Sequence, residues 1–187
     1  MPRAYYRIRD DLRYPGRWHL STPETRIRGI GPAKFTSCLP FRGRTAVTML
    51  HARYGETLDF TLAAFDVPVV SAKCAEIIGA AAGSDVQFIP VGIPACPHGF
   101  LIMNVLTEIR CVDECRSEFI RWGPGDDRPE KVGHYRMFTR LRIDPDCIGD
   151  KQIFRVDGWD VVLVVSAFLK RRMQEAHLRG CDFRRIS

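Results

Sequence analysis

The chain has 187 residues, 45% of them apolar, with a formal net charge of +6. That length suits a single domain, residues 1–187, with a sound core. No apolar run approaches the roughly 18 residues of a spanning helix, and the N-terminus lacks the apolar stretch of a secretory signal, so a cytoplasmic protein with its seven cysteines reduced is expected.

Residues 4–9, AYYRIR, alternate weakly and predict a first strand, placed at a sheet edge by its charges. Residues 10–44 are rich in Arg, Pro and Gly and have no period. Trp18, Ile27, Ile30, Phe35, Leu39 and Phe41 are too many apolar anchors for a solvated tail, so residues 1–44 read as a basic, loop-rich arm packed on the core. Residues 45–50 and 57–62 predict two short strands. Pro68 lacks an N–H, so the next strand should lie at an edge or start there. The helix predicted over 72–82 is apolar around most of its circumference, which predicts deep burial. Residues 86–91 predict a strand interrupted by Pro90, and residues 100–105, FLIMNV, the most apolar strand of the middle. A short strand at 109–112 follows. Residues 117–122 and 134–141 read as half-exposed strands joined by a polar loop. Asp157-Gly158 between two apolar runs, 153–156 and 159–165, is the strongest hairpin signal.

The end of the chain reads as a strand–helix unit over 161–183. Ser166 is an N-cap, Leu169, Met173 and Ala176 form one stripe, and Gly180 supplies a left-handed helix stop. Val69-Val70-Ser71-Ala72 repeats Val164-Val165-Ser166-Ala167 letter for letter, and each copy leads to a glycine (Gly83, Gly180) and an aspartate two residues on. The pair suggests a pseudo-repeat, with chance recurrence of a common strand–helix grammar as the competing explanation. Strands come in consecutive runs and only two helices interrupt them. The predicted class is therefore α+β with a mostly antiparallel sheet.

Three kinds of chemistry use residues of the types present. Cys96, His98, Cys111 and Cys115 would supply a ligand set that zinc accepts, although Cys-x-His is a tight spacing and Cys111 sits in an apolar strand. A Cys–His nucleophile has no supporting signature, and His177 fits better as a cation near a helix C-terminus. The acidic pairs Asp113-Glu114, Asp126-Asp127 and Asp144/Asp146 lie in turns, where aspartate is common for local reasons. No phosphate-binding glycine loop is present, so no cofactor is expected.

Charge is unevenly placed. Residues 1–44 carry ten Lys/Arg against three acids, and residues 166–187 carry six against two. A basic surface attracts nucleic acid, anionic lipid or an acidic protein, but neither the aromatic spacing of an RNA-binding sheet nor a helix-turn-helix is visible. Lys170, Arg171, Arg172, Arg179, Arg184 and Arg185 are the candidate partner contacts, set against the plainer reading of a solvated face.

Taken in order, Pro68-Val69-Val70-Ser71, Val86 to Val91, Asn104-Val105, Cys111-Val112-Asp113, Ser117, Ile143-Asp144-Pro145, Ile153-Phe154-Arg155, Val164-Val165-Ser166, Gly180 and Phe183 form a pattern. It resembles the immunity proteins of bacterial polymorphic toxin systems, typified by a myxobacterial immunity protein (immunity family eleven). The resemblance runs from about Tyr5 to Phe183. It implies a non-enzymatic cytoplasmic protein that binds and neutralises a cognate toxin, encoded nearby, and it carries over no catalytic residue. Two other functions stay open on the residues alone: a hydrolase or thiol enzyme using His98 or His134 with a cysteine or carboxylate, and a basic nucleic-acid-binding module.

Overall fold

The computed structural model describes residues 4–25, 31–43, 45–96 and 99–187. In chain order the elements are β1 (Tyr5–Asp10), β2 (His19–Leu20), β3 (Glu24–Thr25), β4 (Val47–Thr48), β5 (His51–Arg53), β6 (Phe60–Ala63), β7 (Val67–Ser71), α1 (Ala72–Ala82), β8 (Val86–Gly92), β9 (Phe100–Val105), β10 (Glu108–Ile109), β11 (Glu118–Arg121), β12 (Tyr135–Arg140), β13 (Ile153–Val156), β14 (Trp159–Ser166), α2 (Ala167–Glu175) and β15 (Cys181–Arg185). They form a six-stranded sheet of order β3-β4-β8-β9-β7-β6 and a five-stranded sheet of order β10-β13-β14-β1-β15, with β11–β12 and β2–β5 as two-stranded ribbons. Among the described residues the parallel pairings are β4–β8, β10–β13 and a single bridge between Arg17 and Glu56. The class is α+β and mostly antiparallel, as the strand runs predict.

The two VVSA copies occupy equivalent places. Ser71 accepts from the Cys74 N–H and Ser166 from the Leu169 N–H, with nearly the same backbone angles at the two caps. Each helix then feeds a strand of the sheet it left. In the six-stranded sheet β9 lies between β7 and β8 and is antiparallel to both. In the five-stranded sheet β1 lies between β14 and β15 and is antiparallel to both. Each half is thus a split strand–helix–strand unit around one intervening strand. Lys73 Nζ donates to the Ala176 carbonyl oxygen at 2.6 Å, tying the first helix to the end of the second.

Strand alternation divides the interior into three cores. Val70, Met103 and Val105 of one sheet and Ile8, Leu163 and Val165 of the other meet α1 and α2 in a shared central core. The opposite face of the six-stranded sheet carries Val67, Val69, Ile89 and Ile102, covered by Trp18, Phe35 and Phe41 of the arm. The opposite face of the five-stranded sheet carries Tyr5, Phe154, Val162 and Val164, covered by Cys111, Leu141 and Ile143. Polar side chains fix the arm as well. Trp18 Nε1 donates to Thr61 Oγ1 at 2.8 Å, and Gln87 both accepts from the Phe41 N–H and donates to its carbonyl oxygen at 2.8 Å.

Several expectations change. β1 is interior, because β14 and β15 arrive from the far end of the chain to cover both its edges. Pro68 falls inside an interior strand, but β7 pairs with β9 only from Val69 onward. Pro90 does not break β8, whose register with β9 continues through Pro90↔Leu101. α1 is one-sided rather than deeply buried: Cys74, Ala75, Ile78 and Ala82 are buried while Ala80 is exposed, because its alanines carry little apolar surface to hide. Leu39 is 55% exposed, and Ile27 and Ile30 lie outside the described residues. α2 stops at Glu175, not at Gly180. His177 takes the left-handed position (φ 52), its N–H bonds the Gln174 carbonyl oxygen, and the Leu178 N–H bonds that of Met173, which is the 6→1, 5→2 pattern of a Schellman end.

Candidate partner-binding site

The six basic residues singled out in the sequence fall in three places. Lys170 lies 4.7 Å from the Tyr6 ring centroid and donates to Gln174 Oε1, Arg171 lies 3.8 Å from Glu175 Oε1, and Arg172 is exposed. These three stand on the α2 side of the five-stranded sheet. Arg179 serves the fold instead. It hydrogen-bonds Glu56, the Tyr14 hydroxyl and the Thr57 carbonyl oxygen, fastening the turn after α2 to residues 56–59. The Tyr14 hydrogen bond and the nearby Glu56 and Asp59 push its pKa further up.

Arg184 and Arg185 belong elsewhere. In the β1–β15 register Arg184 stands opposite Arg7. Arg7 alternates with Tyr6, which faces the central core, so Arg7 and Arg184 share the opposite face. There they meet Arg140, at the end of β12, and Arg142 just beyond it. With Arg185 the five arginines line a cavity of about 120 Å³ whose apolar lining is Phe138, Leu141 and Ile186. Like charges directly opposite on neighbouring strands are destabilising, so this clustering costs the fold something.

Partners are unequally shared in this groove. Arg140 pairs with Glu118 at 3.0 Å, and Arg185 Nε donates to the Ser187 carbonyl oxygen at 2.9 Å. The Arg7 guanidinium lies 5.1 Å from the Trp159 ring centroid. Burial lowers the Arg7 pKa, the positive charges of Arg9 and Arg184 lower it further, and Asp66 opposes them. Arg9 is neutralised by Asp182 at 2.7 Å. Among the described residues the side chains of Arg142 and Arg184 have no hydrogen bond or ion pair, and no carboxylate lines the cavity.

The β11–β12 ribbon borders the groove. Beneath it Phe138 packs on Trp159 with centroids 4.6 Å apart, and Phe119 meets Tyr135 edge-on at 5.1 Å. Its outer side carries Ile120 opposite Met137, 51% and 45% exposed. A bare apolar pair beside arginines has the composition of a protein-binding surface, where aromatic residues, Met and Arg are enriched. Arg7, Arg140 and Arg142 lie outside the basic set that the sequence singles out. Their local signal was alternation: Arg140 and Arg142 straddle buried Leu141 and precede buried Ile143, and Arg7 sits between Tyr6 and buried Ile8. Nothing local shows that they meet Arg184.

The other candidates do not converge. His98 lies outside the described residues. Cys96 packs against the arm-side core and Cys111 within the core on the other side of the molecule, and no group of three His, Cys, Asp or Glu that could hold a metal occurs among the described residues. Cys96 Sγ lies 3.9 Å from Nε2 of His51, whose ring stacks on Tyr54, and burial pushes the Cys96 thiol up. His134 shares a cavity of about 220 Å³ with Cys111, Glu114 and Tyr135. Burial pushes the Cys111 thiol up to about 12, which keeps it protonated at neutral pH and a poor nucleophile. The acidic pairs serve turns and local ion pairs: Asp113 bonds Arg116, Asp126 bonds the Gly123 N–H and Arg136, and Asp144 caps the Asp146 N–H.

No helix among the described residues is long and apolar enough to cross a membrane. Comparison with curated proteins returns no match. A family model described as an immunity protein family, Imm11, matches residues 2–187. With essentially the whole chain covered, the protein belongs to the Imm11 immunity protein family.

Proposed function

We propose that the protein neutralises a bacterial toxin by binding it, in the cytoplasm of the cell that also encodes that toxin. The observation that carries this function is membership of an immunity protein family over residues 2–187. The chemistry of the arginine groove agrees with it. A guanidinium stays protonated at any physiological pH, so a cluster of them binds and orients but exchanges no protons. Arg184 and Arg185 are the proposed contacts from the basic set, beside the apolar Ile120–Met137 pair. Neutralisation then needs only occlusion of the toxin's working surface, with no cofactor and no reaction.

Co-expression tests the proposal. The toxin encoded beside this gene is expressed in a susceptible strain with and without the full chain. The expected result is restored growth and a complex that co-purifies. Undiminished toxicity together with no complex would refute it.

A further inference from the structure

We infer that the groove between β15 and the end of β12 is a carboxylate seat, occupied by an extended acidic segment of the toxin, with Arg142 and Arg184 as its principal contacts. The inference rests on the immunity function proposed above, but its geometry is independent of the family.

Five arginines come from three separate parts of the chain, and two of them have neither a hydrogen bond nor an ion pair among the described residues. Arg184 faces Arg7 directly across the strand pair. The free protein therefore holds a local excess of positive charge that no lining residue offsets. A carboxylate entering there relieves the cross-strand repulsion and gains charge-assisted hydrogen bonds from planar guanidinium donors, which match its geometry two by two. Elsewhere in the chain Arg9, Arg136 and Arg17 each have a carboxylate partner, in Asp182, Asp126 and Asp10.

Shape selects an acidic protein over a nucleic acid. The cavity is small, about 120 Å³, and lined by Phe138, Leu141 and Ile186, which suits one or two carboxylates and their apolar neighbours. A nucleic-acid strand instead needs a continuous basic track with aromatic platforms. The rim here is interrupted by Glu118 and Asp182, both engaged with arginines. The groove also opens at a sheet edge. β15 is an outer strand, and among the described residues Cys181–Arg185 pairs only with β1, so an extended segment can lie alongside it.

The experiment compares wild type with R142E/R184E and, as a milder pair, R142Q/R184Q. A third variant, R171E/R172E, changes equal charge on the opposite face of the sheet. Folding of each is checked by circular dichroism and thermal melting. Binding is measured against the toxin domain encoded by the neighbouring gene, an eight-residue alternating Glu-Thr peptide, its Gln-Thr counterpart and a twelve-nucleotide single strand. Truncating one partner of a hydrogen-bonded interfacial charge pair weakens binding by about 30-fold or more. The expected result is a loss of that size for the groove variants towards the toxin, a smaller loss for R171E/R172E, and wild-type preference for the Glu-Thr peptide over both other probes. Groove variants that bind and rescue like wild type overturn the seat while leaving the immunity function standing. So does a nucleic-acid strand that binds more tightly than the Glu-Thr peptide. If wild type neither binds the toxin nor restores growth, the immunity function falls, and the peptide arm alone decides the seat.

Discussion

Replacing Gly180 with alanine probes a close backbone approach, and Gly149 supplies the matched control. Both glycines are left-handed, with φ of +94° and +67°. An alanine at either position bears the strain of that conformation, about 1–2 kcal/mol. Their surroundings differ. At Gly149 an added Cβ meets nothing within 4 Å, whereas at Gly180 it overlaps the Phe60 carbonyl oxygen and stands 2.9 Å from Leu58 Cβ. Phe60 is fully buried, and its N–H is held by the Arg179 carbonyl oxygen at 3.1 Å, so the neighbour has no room to retreat. Overpacking of this kind adds about 1–3 kcal/mol. The expected totals are about 1–2 kcal/mol for G149A and about 2–5 kcal/mol for G180A. For a chain of this size each kcal/mol moves the melting temperature by about 2–4 °C, giving losses of roughly 2–8 °C and 4–20 °C. Thermal melts of both variants beside wild type provide the assay. Equal losses would refute the close packing of the turn after α2 against β6.

Three further expectations concern the interior and the titrating groups. Thr61→Val removes the acceptor of Trp18 Nε1 within a fully buried pair, so a urea melt should show a loss of about 1–3 kcal/mol, the cost of an unpaired buried donor; an unchanged midpoint would mean that the arm is not docked through Trp18. Among the described thiols, Cys115 is exposed, while burial pushes Cys38 up to about 11 and Cys111 to about 12, and the Asp144 hydrogen bond raises exposed Cys147. Timed alkylation at pH 8 with mass spectrometry should therefore label Cys115 first, and early labelling of Cys111 would contradict its burial. Burial and the Glu114 hydrogen bond push the Tyr135 phenol up to about 12, while the same hydrogen bond holds Glu114 below the usual carboxylate range. A raised phenol contributes stability that is complete below its unfolded value of about 10 and is lost as the pH rises towards 12. A depressed carboxyl contributes stability present above its unfolded value and lost as the pH falls through its folded value. Wild type should thus exceed Tyr135→Phe most at intermediate pH and converge with it at both extremes, in urea melts run across the pH range; parallel curves would sink the pairing.

Much of the fold was legible because it is local. The bounds of α1 follow from Ser71 as cap and Gly83 as terminator, both within one helix of the residues they control. The hairpin at Asp157-Gly158 needs only its own turn, with Gly158 at φ +74°. The second helix end misled because two residues could serve as its left-handed stop. His177 takes that place at the expense of backbone strain, leaving Gly180 for a site where a side chain would not fit.

By itself the sequence determined the longer strands, the two capped strand–helix units, the α+β class and the basic character of the chain ends, since each depends on neighbours a few residues apart, whereas the short strands β2, β3 and β5 carry no period of their own. Only the tertiary structure decided that β1 is interior, that the two units form equivalent halves around a shared core, and that Arg7, Arg140 and Arg142 join Arg184 and Arg185. The physical reason is range. Arg7 and Arg184 meet through a strand register between opposite ends of the chain, and no local spacing encodes that register. The basic residues visible at the C-terminal end therefore separate, once folded, into a solvated helix face, a structural clamp at Arg179 and one groove in which positive charge is left over.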